Sequence, residues 1–307
     1  MPDNNSAQPN PVQPPEKPTE CGFGARLTRL VAVRGAVCAG VDPHPELLGE
    51  WGLSDDVGGL ERFALGAVEA VGPEVALVKP QSAFFERHGA RGVAVLERVL
   101  VAARDAGALV LLDVKRGDIS STMAGYAAAY LSDGAPLAAD AITVSPYLGV
   151  GALDPAFELA DRTGRGVFVL ALTSNPEGTE VQAAVTGTGT TVAQSVVDAV
   201  AARNSGRYPL GDFGVVVGAT APVGKLQLGA LNGAILAPGI GAQGARLADV
   251  PQVFGPAAPH VVAAISRELL RHGPHPESLR HAARRIADEA ASVIQLGWSR
   301  SAGVPPG

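Results

Sequence analysis

The chain has only two cysteines in 307 residues, Cys21 and Cys38, and their spacing fits neither a zinc site nor a disulfide framework. A reducing compartment is the simplest expectation. There is no basic run and the net charge is -6, so nucleic acid is not expected as the main partner. No apolar stretch reaches membrane length, and residues 1–20 have neither the basic start nor the apolar run of a signal peptide. These absences lead us to expect a soluble, cytoplasmic protein that does not engage a membrane. Residues 1–20 are rich in Pro, Asn and Gln with nothing to bury, so they read as a disordered tail, and 299–307 read as a flexible one. No composition break divides 21–298, and one domain is expected there.

What the sequence does contain is alternation. Apolar runs at 35–42, 75–80, 109–115, 138–146, 166–174, 214–220, 234–241 and 260–266 read as strands buried on both faces. Helix-compatible stretches at 57–71, 89–106, 120–131, 150–162, 192–204 and 276–296 separate or follow them. This pattern is what a (β/α)8 TIM barrel requires, whereas a doubly wound sheet rarely runs so long without a second domain. The connection 173–191 is longer than a usual βα loop and is expected to act as a lid or binding loop.

A barrel of this kind gathers its chemistry at the C-terminal ends of its strands. The polar residues there are Asp42, Lys79, Asp113, Lys115, Ser174, Thr220, the Gly239–Gly241 turn and Arg267. The richest segment is LVLLDVKRGDISST, 109–122. Side chains two apart on a strand share a face, so Asp113 and Lys115 are expected side by side with Val114 in the opposite layer. Gly117 is expected to let the chain turn, so that Asp118 can approach the same ammonium in its own subunit or a neighbour's. Alternating signs let such charges share one basin. A Schiff-base lysine must shed its proton, whereas carboxylates beside Lys115 favour the ammonium, which points to a cation and proton donor. The PGIG turn and the Ser266-Arg267 pair are similar to a phosphate site.

In order along the chain, GVDPHPEL, VKPQSAFFE, DVKRGDI, SPYLG, TSNPEG, VVVGAT and APGIGAQG resemble the orotidine 5′-phosphate decarboxylase family, over about 23–296. The KRGDI and SNPEG segments are similar to its bacterial subgroup with longer loops. D-x-K-x-x-D alone also occurs in related barrels such as the metal-dependent hexulose-phosphate synthases, but the whole ordered set is specific. The resemblance implies decarboxylation of orotidine 5′-monophosphate to UMP in pyrimidine biosynthesis, with no metal and no organic cofactor. It implies a catalytic tetrad of Lys79, Asp113, Lys115 and Asp118, the last reaching in from the partner subunit of a homodimer. It further implies that Asp42, helped by Lys79 and Thr122, holds the ribose hydroxyls. Ser174 would read the pyrimidine edge, and Gly241 with Arg267 would hold the phosphate.

Overall fold

The computed structural model describes residues 22–241 and 244–294. Cys21 and the tails expected at 1–20 and 299–307 lie outside the described residues. Eight parallel strands, β1 (Val37–Val41), β2 (Leu77–Pro80), β3 (Leu109–Arg116), β4 (Ala141–Val144), β5 (Gly166–Leu172), β6 (Phe213–Val217), β7 (Ile235–Ala237) and β8 (Val261–Ile265), form a closed barrel. Each pairs with the next, and β1 closes on β8 with Val37 opposite Ala263. The strands are rich in Val, Ile, Leu and Ala because one face fills the barrel and the other packs under helices, leaving no side for water.

Several strands are shorter than their apolar runs. β7 stops at Ala237 because Pro238 has no amide to extend a ladder. β4 begins only after Asp140, whose carboxylate is already engaged: it accepts the Val110 amide at 2.9 Å and pairs with Arg26. Helices Val57–Val71 and Val192–Asn204 start where Asp56 and Thr191 accept the amides of Gly59 and Gln194 at 2.8 and 3.2 Å. Helices Gly89–Asp105, Ser120–Leu131, Asp154–Thr163 and Pro276–Ile294 complete the outer layer.

Helix Phe23–Arg34 has no counterpart in the sequence reading, which begins with a strand. Gly22 before it offers no side-chain cap, so no start signal marks it, although Arg34 in its last turn and Gly35 at φ 73° mark its end. It closes the N-terminal end of the barrel: the Phe23 ring meets Phe168 edge-on at 5.8 Å, and the Gly24 amide donates to Asp212 at 2.7 Å. Short helices Pro45–Glu50 and Ser82–Glu86 occupy the loops after β1 and β2. Between β6 and β7 the described residues include only the 3-10 turn Val223–Lys225. The long connection after β5 is folded on itself, with a helix at Thr179–Gln182. Gln182 takes the Thr173 amide at 2.9 Å and donates to the Thr173 hydroxyl at 2.8 Å. Among the described residues no helix is long and apolar enough to cross a membrane.

Candidate active site

At the C-terminal mouth of the barrel a cavity of about 870 Å³ is lined by Asp42, Lys79, Asp113, Lys115, Ser174, Thr220 and Arg267, among others. That volume falls within the range of small-molecule sites. Asp113 is its electrostatic centre. Lys79 Nζ donates to Asp113 Oδ2 at 3.0 Å, and Lys115 Nζ donates to Asp113 Oδ1 at 2.6 Å. The Thr143 hydroxyl donates to the same Oδ1 at 2.7 Å. Lys79 also donates to Gln81 Oε1 at 3.3 Å and stands 3.8 Å from Asp42 Oδ1.

Burial pushes the Asp113 carboxyl up. The two ammonium groups, with the hydrogen bonds from Lys115 and Thr143, outweigh it and hold the group well below the usual carboxylate range. For Lys79 burial works against the charge, but Asp42 and Asp113 prevail and raise its pKa. Both groups are therefore ionised at neutral pH. Cys38 lies fully buried behind them, and desolvation pushes its thiol up to about 12. Two buried atoms at the site, Asp42 Oδ1 and Ser266 Oγ, have no hydrogen-bond partner in the protein. Buried polar groups are ordinarily paired, so these two mark positions that suit a ligand's polar atoms.

The side-by-side placement of Asp113 and Lys115 holds, but not through simple alternation. β3 pairs Leu112 with Ile142 and Arg116 with Val144, so it carries two more residues than β4 across that interval. Lys115 adopts a left-handed φ of 46° in this bulge. Gly117 is not the turning residue. Positive φ falls on Lys115 and on Ser120 (47°), while Gly117 is required because a Cβ there would stand 2.4 Å from the Ser145 carbonyl oxygen. Gly218 has a matching role for Ser174, since a Cβ at 218 would lie 2.2 Å from the Ser174 hydroxyl oxygen.

A single chain does not bring all the expected residues together. Asp42, Lys79, Asp113, Lys115, Ser174 and Arg267 share the cavity, whereas Asp118, Thr122 and Gly241 do not line it. Asp118 accepts the Ile119 amide at 2.8 Å, and Thr122 is exposed one helical turn on. Beside them Ile119 and, on the adjoining loop, Tyr147 and Leu148 are all more than half exposed. Gly241 faces Glu268, and the glycine of that turn which lines the cavity is Gly239. Thr143 and Gln81 escaped the sequence reading. Their signals were a lone hydroxyl inside the apolar AITV run and an amide two residues beyond Lys79. Among the described residues no group of three or more His, Cys, Asp or Glu is arranged to hold a metal ion.

A model of the orotidine 5′-phosphate decarboxylase / HUMPS family matches residues 35–282, which include every strand and every expected site residue. The chain belongs to this family. Orotidine 5′-phosphate decarboxylase of Salinispora arenicola is 60% identical over 272 residues, covering 89% of this chain and 98% of that protein. The Streptomyces coelicolor enzyme of the same name is 58% identical over 273 residues, covering 89% and 98%. A solved Streptomyces avermitilis structure carrying that name superposes with a TM-score of 0.88 at 58% identity, over 90% of this chain and 96% of the other. The Leishmania donovani OMP decarboxylase structure shows 30% identity and a TM-score of 0.71, over 89% and 99%. Within the family, then, the relatives at high identity bear the decarboxylase name.

Proposed function

We propose that this chain is a cytoplasmic, homodimeric enzyme that decarboxylates orotidine 5′-monophosphate to UMP without metal or organic cofactor. The observation that carries the reading is one buried carboxylate, Asp113, held between two ammonium groups at the floor of a nucleotide-sized cavity. When the bond from ring carbon 6 to the carboxylate breaks, CO₂ leaves and the electron pair stays in the ring plane, where the π system cannot spread it. A fixed ammonium can stabilise it. Lys115 faces the developing charge and then donates a proton from Nζ to carbon 6, giving UMP; water later reprotonates the amine. Asp113 crowds the substrate carboxylate, and its grip on both lysines keeps the charges in place before the substrate arrives.

The binding roles are those the family resemblance implies, and the shared cavity supports them. Asp42, with a buried oxygen that no hydrogen bond satisfies, takes the ribose hydroxyls; Ser174 takes the pyrimidine edge; Arg267 and the Gly239–Gly241 turn take the phosphate. Asp118 and Thr122 would complete the neighbouring subunit's site, and exposed Ile119, Tyr147 and Leu148 supply apolar surface for that contact. The experiment is an absorbance assay with orotidylate before and after exhaustive chelation. Unchanged turnover supports the reading. Loss with EDTA that Mg²⁺ restores would favour the metal-dependent lyase chemistry of the related barrels.

A further inference from the structure

Thr143 stands where β3 and β4 fall out of step. While β4 advances from Ile142 to Val144, β3 advances from Leu112 to Arg116, so Asp113, Val114 and Lys115 all face one residue. Regular ladder bonds lapse in such a bulge. The Lys115 amide donates instead to Thr143 Oγ1 at 3.0 Å. The same hydroxyl directs its own proton to Asp113 Oδ1 at 2.7 Å, the oxygen that Lys115 Nζ reaches at 2.6 Å. The result is a closed ring from the Lys115 amide through Thr143 and Asp113 back to the Lys115 ammonium.

Thr143 thereby holds Lys115 directly at its amide and, through Asp113, at its ammonium. A non-glycine residue at φ 46° is strained and persists only where its surroundings fix it. A hydroxyl accepts one hydrogen bond and donates another through a single atom, and β-branching restricts its rotamers. Thr143 itself is 1% exposed and does not line the cavity, so it does not touch a bound nucleotide. We propose that Thr143 is a positioning residue for the decarboxylation, aiming the Lys115 ammonium by fixing both its backbone and its Asp113 partner. This rests on the decarboxylase reading above.

The test compares Thr143→Val, which keeps the shape and removes both bonds, with Thr143→Ser, which keeps the hydroxyl. In the valine variant kcat should fall roughly 10- to 100-fold, the effect of leaving one or two buried polar groups unpaired. KM for orotidylate and inhibition by UMP should change by less than about threefold, because the nucleotide's own contacts are untouched. Serine should recover most of kcat. The chain has four lysines, at 17, 79, 115 and 225, so ¹⁵N-lysine labelling isolates the Lys115 amide. Its hydrogen exchange should be slow in the wild type and in Thr143→Ser, and faster in Thr143→Val. A wild-type kcat in folded Thr143→Val overturns the proposal. So does a parallel loss of kcat, UMP affinity and thermal midpoint without rescue by serine, which marks a general packing role. Should the wild type fail to decarboxylate orotidylate, the functional reading falls, and the amide exchange still decides whether Thr143 holds Lys115.

Discussion

Two lysines share one carboxylate, and their removal should have opposite balances of effect. The Lys79 side chain is 8% exposed and lies between Asp113 and Asp42. Lys79→Ala leaves a buried charge cluster with an excess negative charge, and breaking such a buried pair costs ~3–5 kcal/mol. At ~2–4 °C per kcal/mol for a domain of this size, the thermal midpoint should drop by roughly 6–20 °C. The Lys115 side chain is 45% exposed, and Asp113 keeps Lys79 and Thr143 when it is gone. Lys115→Ala should therefore cost no more than ~1 kcal/mol, as exposed pairs do. Catalysis should show the reverse emphasis: Lys115→Ala folds normally yet loses at least about a thousandfold in turnover, because preorganised charge dominates such barriers. Melting followed by circular dichroism and the orotidylate absorbance assay read the two effects separately. A Lys115→Ala variant that melts 10 °C low, or one that turns over at near wild-type rate, would refute the division of labour.

If Asp118 completes a neighbour's site, Lys115→Ala and Asp118→Ala refolded together should regain about a quarter of full activity: random pairing makes half the dimers mixed, each with one intact site of two. No recovery with heterodimers present would place Asp118 in its own chain's site or outside catalysis. Ser174→Ala should damage turnover more than stability, and Gly218→Ala should mimic it by driving a methyl onto the Ser174 hydroxyl; equal kinetics for Gly218→Ala and wild type would remove Ser174 from the site. The Cys38 thiol, pushed from 9.0 up to about 12 by burial, makes the fold favour its protonated form. Stability should thus be indifferent to this group below pH ~9 and fall between ~9 and 12, a slope missing from melts of Cys38→Ala.

The barrel was legible because its signal is repeated: most apolar runs end in a polar residue, six of the eight are followed by a helical stretch, and three helices fall at 57–71, 120–131 and 192–204 as expected. What escaped lacked a start signal or the length to show a period. Helix Phe23–Arg34 has no side-chain N-cap, and Pro45–Glu50 and Ser82–Glu86 are too short to show a period. The site was legible wherever a charge ended a strand. The bulge was not, since alternation predicted the right neighbours for Lys115 while concealing the left-handed backbone that sets its direction. Thr143 reads as one more β-branched core residue until its two hydrogen bonds are seen.

The ring of strands closes between its first and last members, Val37 against Ala263, and this seam divides the site by time of arrival. Lys79 and Asp113, 34 residues apart on adjoining strands, can meet as soon as β2 and β3 pair. Asp42 and Arg267 flank the seam, with Gly40 bare so that Ser266 can pack where a Cβ would lie 2.6 Å away. Contacts of such separation form late, after the loop between them has closed. On the ribosome the charged cluster would emerge with half the chain still unmade, and no nucleotide grip would exist until β8 is released. Recovered activity should therefore trail recovered helical signal on refolding, making the enzyme its own reporter of ring closure.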